Sequence, residues 1–212
     1  MDILTTREGG VLTIELNRPQ KKNAITADMY GALAAALIEA REAPEIRAVM
    51  IVGKRDVFTA GNDLQDFMDN PPSGDDGPVF RFLREISHAP KPLVAAVCGP
   101  AVGVGTTMLL HCDLVFAGDN ARFSLPFAQL GLVPEAASSL LLPELFGYQR
   151  AAERLLLGEP FGADEALQMG LICAVLPCRC SGRACAAASG QTGGSAGSGS
   201  ACDQAPHEAR SD

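Results

Sequence analysis

The tightest constraint on this chain is its alternation of short apolar runs with amphipathic stretches. Leu93 to Val97 is apolar throughout and is bounded by Pro92 and Gly99, as a strand buried on both faces would be. Val11 to Leu16 reads as an earlier strand, ended by Asn17-Arg18-Pro19, and Ala48 to Val52 as a second. Leu114 to Ala117 and Arg122 to Leu125 read as two more. Between these lie helical patterns. Thr26 is placed to cap a helix from Ala27 to about Ala43, with Met29, Leu33 and Leu37 on one stripe and Pro44 as the stop. An acidic loop carrying Asp63, Asp66, Asp69, Asp75 and Asp76 precedes a helix from about Val79 to Ser87, and the stretch after Leu125 is mainly helical as far as Leu176. Strands alternating with helices at this spacing predict an α/β fold with a parallel sheet.

Of the 212 residues 47% are hydrophobic and 20% charged, enough for one domain with a buried core. The net charge of −8 opposes extended contact with nucleic acid or an anionic membrane, which is driven by neutralising phosphates. No run approaches the roughly 18 to 20 apolar residues of a membrane span. Met1-Asp2-Ile3-Leu4 lacks the plan of a signal peptide, so the expected location is cytoplasmic and the expected partner a small molecule.

The core is expected to end at Pro177. From Cys178 to Asp212 there is no Leu, Ile, Val, Phe, Met or Tyr, and Gly, Ser, Ala and Arg dominate. Such a segment, 178–212, is expected to be disordered beside a core domain of 1–177. Cys98, Cys112 and Cys173 sit in apolar surroundings as reduced core cysteines do. Cys178, Cys180, Cys185 and Cys202 have neither the spacing nor the histidines of a metal site, so none is expected. The tail is otherwise a flexible linker or the product of a shifted reading frame near Pro177.

Two segments place small residues directly after a strand: Val57-Phe58-Thr59-Ala60-Gly61-Asn62-Asp63-Leu64, and Cys98-Gly99-Pro100-Ala101-Val102-Gly103-Val104-Gly105-Thr106-Thr107. Small residues let a ligand approach backbone N–H groups, which suits a developing oxyanion. Tight packing through glycine would account for the same residues.

Both segments in this order, with Leu16-Asn17-Arg18-Pro19, His111-Cys112-Asp113-Leu114-Val115, Phe123-Ser124-Leu125-Pro126, Gly162-Ala163-Asp164-Glu165-Ala166 and Gly170-Leu171, resemble the crotonase or enoyl-CoA hydratase/isomerase superfamily over about residues 3 to 177. The resemblance implies a spiral of ββα units, acyl-CoA thioester substrates, no metal and no cofactor beyond the coenzyme A of the substrate. It also implies homotrimers or hexamers built with C-terminal helices, which this chain lacks or has replaced. By motif position it assigns the oxyanion-hole amides to Ala60 and Val104, with Gly103 beside the second. Phe58, Asn62 and Asp63 fall on the loop along the CoA. Lys21, Lys22 and Lys54 are candidates for its phosphates, or are solvated surface residues.

A hydratase of this superfamily resembles a machine of paired glutamates that activate water. The matching positions here are Thr107 and Phe127, neither of which transfers a proton near neutral pH. Glu135 is the replacement. Its segment, Pro134-Glu135-Ala136-Ala137-Ser138-Ser139, resembles that of the monofunctional 3-enoyl-CoA to 2-enoyl-CoA isomerases, and Gly61-Asn62-Asp63-Leu64 resembles their oxyanion loop. One carboxylate serves such a shift by removing the C2 proton and returning it to C4. The competing role for Glu135 is a residue opening a helix at Pro134. His88 and His111 read as surface and packing residues, and Asp113 as a turn anchor. The alternative activities are hydration or another crotonase reaction, and the alternative of another class is an inactive, truncated acyl-CoA-binding remnant.

Overall fold

A computed structural model describes residues 1–70 and 76–177. Asp75 and the tail from Cys178 lie outside the described residues. Strands β1 (Ile3–Glu8) and β2 (Val11–Leu16) form a hairpin across Gly9 and Gly10, both at positive φ. Alternation in β2 buries Leu12, Ile14 and Leu16. Helix α1 (Ala27–Glu42) then buries the expected stripe of Met29, Leu33 and Leu37, and the Thr26 hydroxyl accepts from the Met29 N–H at 3.3 Å, as its capping role requires. Next come β3 (Ala48–Val52), α2 (Leu64–Asp69), α3 (Pro78–Ser87), β4 (Leu93–Val97), β5 (Pro100–Val102) and α4 (Val104–Thr107). The chain continues through β6 (Leu114–Gly118), β7 (Arg122–Ser124), α5 (Ser138–Phe146), α6 (Tyr148–Leu157), β8 (Phe161–Gly162), α7 (Ala163–Gln168) and β9 (Ala174–Leu176).

The large sheet runs β1-β2-β3-β4-β6-β9 and is parallel from β2 onward. All five residues of β4 are buried, as its unbroken apolar run requires. A small sheet, β5-β7-β8, is extended by a parallel bridge between Thr59 and Ala101. The segments β4-β5-α4 and β6-β7-α5 each supply a long strand, then a short one, then a helix, the repeat of the expected ββα spiral. The short strands bring the ends of β3, β4 and β6 together, which places the loops after them side by side.

The structure departs from the expected elements in three places. Part of the acidic loop is helical: Asp63 caps α2 through Oδ1, which accepts from the N–H groups of Gln65 and Asp66. The helix after Gly103 and Gly105 is a single turn that passes into a 3-10 turn at Met108–His111. Finally, β1, β5, β8 and β9 have no counterpart in the sequence reading: β5, β8 and β9 are too short to carry a periodic signal, and β1 buries only Ile3, so its residues do not alternate.

Candidate active site

The loop after β3 is held by parallel pairing with residues that precede α1. The Ile25 N–H donates to the Gly61 carbonyl at 2.8 Å, and the Asp63 N–H donates to the Ile25 carbonyl at 2.9 Å. These bonds orient the peptide between Gly61 and Asn62. A trans peptide points its N–H opposite to its C=O, so with the Gly61 carbonyl turned to Ile25 the Asn62 N–H faces away from it. Gly61 is required here: its φ is +88°, and a Cβ would lie 2.8 Å from the Val102 carbonyl oxygen.

The same geometry recurs at the start of α4. The Gly103 carbonyl accepts from the N–H groups of Thr106 and Thr107 at 2.9 and 3.0 Å, which turns the Val104 N–H out of the helix end. Among the described residues neither the Asn62 nor the Val104 amide meets an acceptor. Both residues line one cavity of about 500 Å³, together with Lys21, Gly103, Phe127 and Leu130. Two unpaired amides on facing loops can bind a single carbonyl oxygen.

Ala60 needs correction on this point. Its N–H donates to the Lys22 carbonyl at 2.9 Å and is therefore engaged. The unengaged amide lies two residues on, at Asn62. Phe58 is corrected too: its ring is fully buried in the core and cannot lie along a ligand. The Lys22 side chain is exposed, whereas the Lys54 ammonium pairs with Glu15. Of the three lysines only Lys21 lines the cavity. Asp63 lines it as well, yet its carboxylate is occupied: Oδ2 accepts from the Arg18 guanidinium at 2.7 Å while Oδ1 caps α2. The Arg18 hydrogen bond holds the Asp63 carboxyl below the usual carboxylate range. A carboxyl with a depressed folded pKa stabilises the fold above its unfolded pKa, and that contribution is lost as pH falls through the folded value. Asp63→Ala is expected to cost about 2 kcal/mol through the lost cap and the lost Arg18 hydrogen bond, and Asp63→Asn to restore the capping part; chemical denaturation reads both.

Glu135 lies beside the second amide. Its Oε1 accepts from the Thr107 hydroxyl at 2.5 Å, and Thr107 is three residues beyond Val104 on the same turn. Burial pushes the Glu135 carboxyl above its ordinary pKa, with the Thr107 hydrogen bond opposing that shift. The helix-opening role does not describe it. Helix α5 begins only at Ser138, after Ala136 and Ala137 at φ of 53° and 54°, a left-handed pair that interrupts any helix from Pro134. The pair is fixed from both sides. Ser138 donates through N–H and Oγ to the Glu135 carbonyl at 2.9 and 2.6 Å, and His111 Nε2 lies 3.0 Å from the Ala136 carbonyl. Strained backbone held this firmly is characteristic of sites that need a side chain aimed.

Thr107 and His111 therefore act around Glu135 without having been read as its supports, since Thr107 meets its carboxylate and His111 the carbonyl of Ala136, each across more than twenty residues of sequence. Asp113 accepts from the Leu93 N–H at 2.8 Å and anchors the start of β4, in line with its turn role. At the other position of the glutamate pair Phe127 is buried and presents an apolar wall. Among the described residues no cluster of three His, Cys, Asp or Glu side chains is placed to hold a metal ion.

A ββα spiral with two unpaired amides over one cavity and a half-buried carboxylate near the second is an arrangement that can hold a carbonyl oxygen close to a base. The chain belongs to the enoyl-CoA hydratase/isomerase family, whose pattern it matches over residues 6–180. It is 41% identical over 182 residues to the peroxisomal enoyl-CoA delta isomerase 3 of Mus musculus, covering 83% of this chain and 57% of that one. It is 40% identical to the enoyl-CoA delta isomerase 2 of Homo sapiens, covering 82% and 46%. The crystal structure of an enoyl-CoA hydratase/isomerase from Pseudoalteromonas atlantica T6c superposes with a TM-score of 0.89 at 42% identity, over 92% of this chain and 78% of that one. The chain spans about half the length of the curated relatives it matches. Among the described residues no helix is long and apolar enough to cross a membrane.

Proposed function

We propose that the protein shifts the double bond of a 3-enoyl-CoA to the 2-position, with Glu135 as the proton shuttle and the amides of Asn62 and Val104 as the oxyanion hole. The observation that carries this reading is the half-buried Glu135 carboxyl held by Thr107, where a hydratase of the family would need a second carboxylate. In the proposed cycle the thioester oxygen accepts from both amides, and Glu135 takes the C2 proton. The dienolate charge rests on the oxygen, and the Glu135 carboxylic acid returns the proton to C4. The cycle is redox-neutral and uses no group beyond the substrate's own coenzyme A. Fixed amides stabilise the developing charge without the reorganisation water would need, typically about 3 kcal/mol per donor. In the proposed complex Lys21 and Gly103, which line the cavity, meet a CoA phosphate and the thioester respectively.

Hydration is disfavoured by the same residues: a water held by Thr107 and the Phe127 ring has no second base. Spectrophotometric assay with a 3-enoyl-CoA and a 2-enoyl-CoA separates the reactions. Conversion of the first with little hydration of the second is expected, and rapid hydration without a 3-to-2 shift overturns the reading. The shift also has an expected pH signature. Glu135 must be ionised to act, so kcat/KM falls as pH drops through its pKa. Thr107→Val removes the hydrogen bond that lowers that pKa, so the acid limb of the profile is expected to move to higher pH.

Assembly as a homotrimer or hexamer belongs to the same proposal for a chain that carries the family's C-terminal helices; the exposed apolar side chains of Leu140 and Leu156 on α5 and α6 are surface such a partner could cover. A cytoplasmic location belongs to it as well, and fractionation against a peroxisomal marker decides that point.

A further inference from the structure

We propose that Tyr30, on the first helix and outside every motif of the site, is a positioning residue that holds Asn62 so that its amide stays aimed at the substrate carbonyl. The proposal rests on the reading of Asn62 and Val104 as the carbonyl's donors. Tyr30 is 2% exposed, with its ring tilted against Phe82 at a centroid distance of 5.4 Å. A buried phenol needs a partner for its O–H, and this one donates to Oδ1 of Asn62. Of all the polar atoms near α1, the hydroxyl thus meets the side chain of the residue whose N–H faces the cavity.

The main chain explains why this bond matters. Ile25 grips the loop at the Gly61 carbonyl and the Asp63 N–H, on either side of Asn62. These main-chain bonds, with that of the Ala60 N–H to the Lys22 carbonyl, fix the strand pairing along one edge of the loop. The Asn62 side chain, tied to Tyr30, adds a restraint at Asn62 itself, away from that edge. Space for that side chain to move exists, because a pocket of about 20 Å³ lies between Tyr30, Asn62, Phe67 and Val79, roughly the room of a single water. Without the hydroxyl the Asn62 amide group can turn into that space and carry its backbone with it. Burial, and after it the Glu135 charge, hold the Tyr30 hydroxyl well above its ordinary pKa, so it remains a donor while Glu135 is ionised.

The test reads polarisation of the carbonyl directly, by infrared difference spectroscopy of hexanoyl-CoA labelled with ¹³C at the thioester carbonyl and bound to the full chain. The unsubstituted protein should move the carbonyl stretch to lower wavenumber. Tyr30→Phe should lose about half or more of that shift while the dissociation constant changes by less than about threefold, since the lost effect is one of aim rather than contact. Asn62→Ala removes the acceptor and should lose a similar part, and the double variant no more than the larger single loss. Tyr148→Phe, at an exposed tyrosine, serves as the control and should leave the shift intact. A full shift in Tyr30→Phe, or additive losses in the double variant, overturns the proposal, as does the absence of any shift in the unsubstituted protein. If Tyr30→Phe does not fold, Asn62→Ala decides alone, and a full shift there overturns it. Failure of the isomerase reading is separable: a bound carbonyl that shifts as expected, in a protein that does not convert 3-enoyl-CoA, removes the isomerase and leaves the role of Tyr30 standing.

Discussion

Glu135→Gln is expected to lower kcat for the 3-to-2 shift by about a hundredfold or more, the usual contribution of a positioned acid–base group. The substitution is a clean one. Glutamine keeps the volume, and its carbonyl oxygen accepts the Thr107 hydroxyl as Oε1 does now, so the fixed turn at Ala136 and Ala137 has no reason to move. What disappears is the ability to take the C2 proton, for which burial has prepared the carboxyl by raising its pKa. KM should change little, because binding of the thioester rests on the amides and the cavity wall. Steady-state kinetics over a range of 3-enoyl-CoA, in one chain background, separates the two parameters. A loss of binding with unchanged turnover would assign Glu135 a structural role instead, and preserved turnover would send the search to other carboxylates of the cavity.

Val104→Pro should produce an effect of similar size by a different route. Val104 occupies the first position of α4, where proline is tolerated because the N–H there has no partner within the helix. Gly103 precedes it at φ 54° and ψ −116°, away from the region that a following proline excludes. The substitution therefore removes the donor, and puts a ring methylene where the carbonyl oxygen would sit, while leaving the turn formed. Loss of one oxyanion-hole donor typically costs about 10² to 10³ in kcat. Val104→Ala trims the buried side chain but keeps the N–H, and should lose far less. Equal kcat values for the two variants would show that the side chain matters and the amide does not. Stopped-flow or steady-state turnover, with near-UV circular dichroism to verify the fold, makes the comparison.

Much of the fold was legible because its signals are local. The Thr26 cap and the Met29, Leu33, Leu37 stripe mark α1 through neighbours three and four residues apart, and the apolar run of β4 declares a strand buried on both faces. The substitution of Thr107 and Phe127 for a glutamate pair, and the presence of Glu135, were likewise visible as residue types in order. Tertiary structure decided what no local pattern contains. Whether Ala60 or Asn62 offers a free amide depends on the Lys22 carbonyl and the Ile25 N–H, more than thirty residues away, which set the direction of each peptide plane. Phe58 is core rather than ligand contact because the strand pairing of its neighbour Thr59 with Ala101 turns the ring inward, and Glu135 misses the helix because two left-handed alanines intervene. Thr107 and Tyr30 gained their roles only when the spiral brought them, from distant parts of the chain, against Glu135 and Asn62. Sequence alone determines the elements and the chemical groups available, since periodicity and residue type act at short range. Their aim is a property of long-range hydrogen bonds, and only the folded chain sets it.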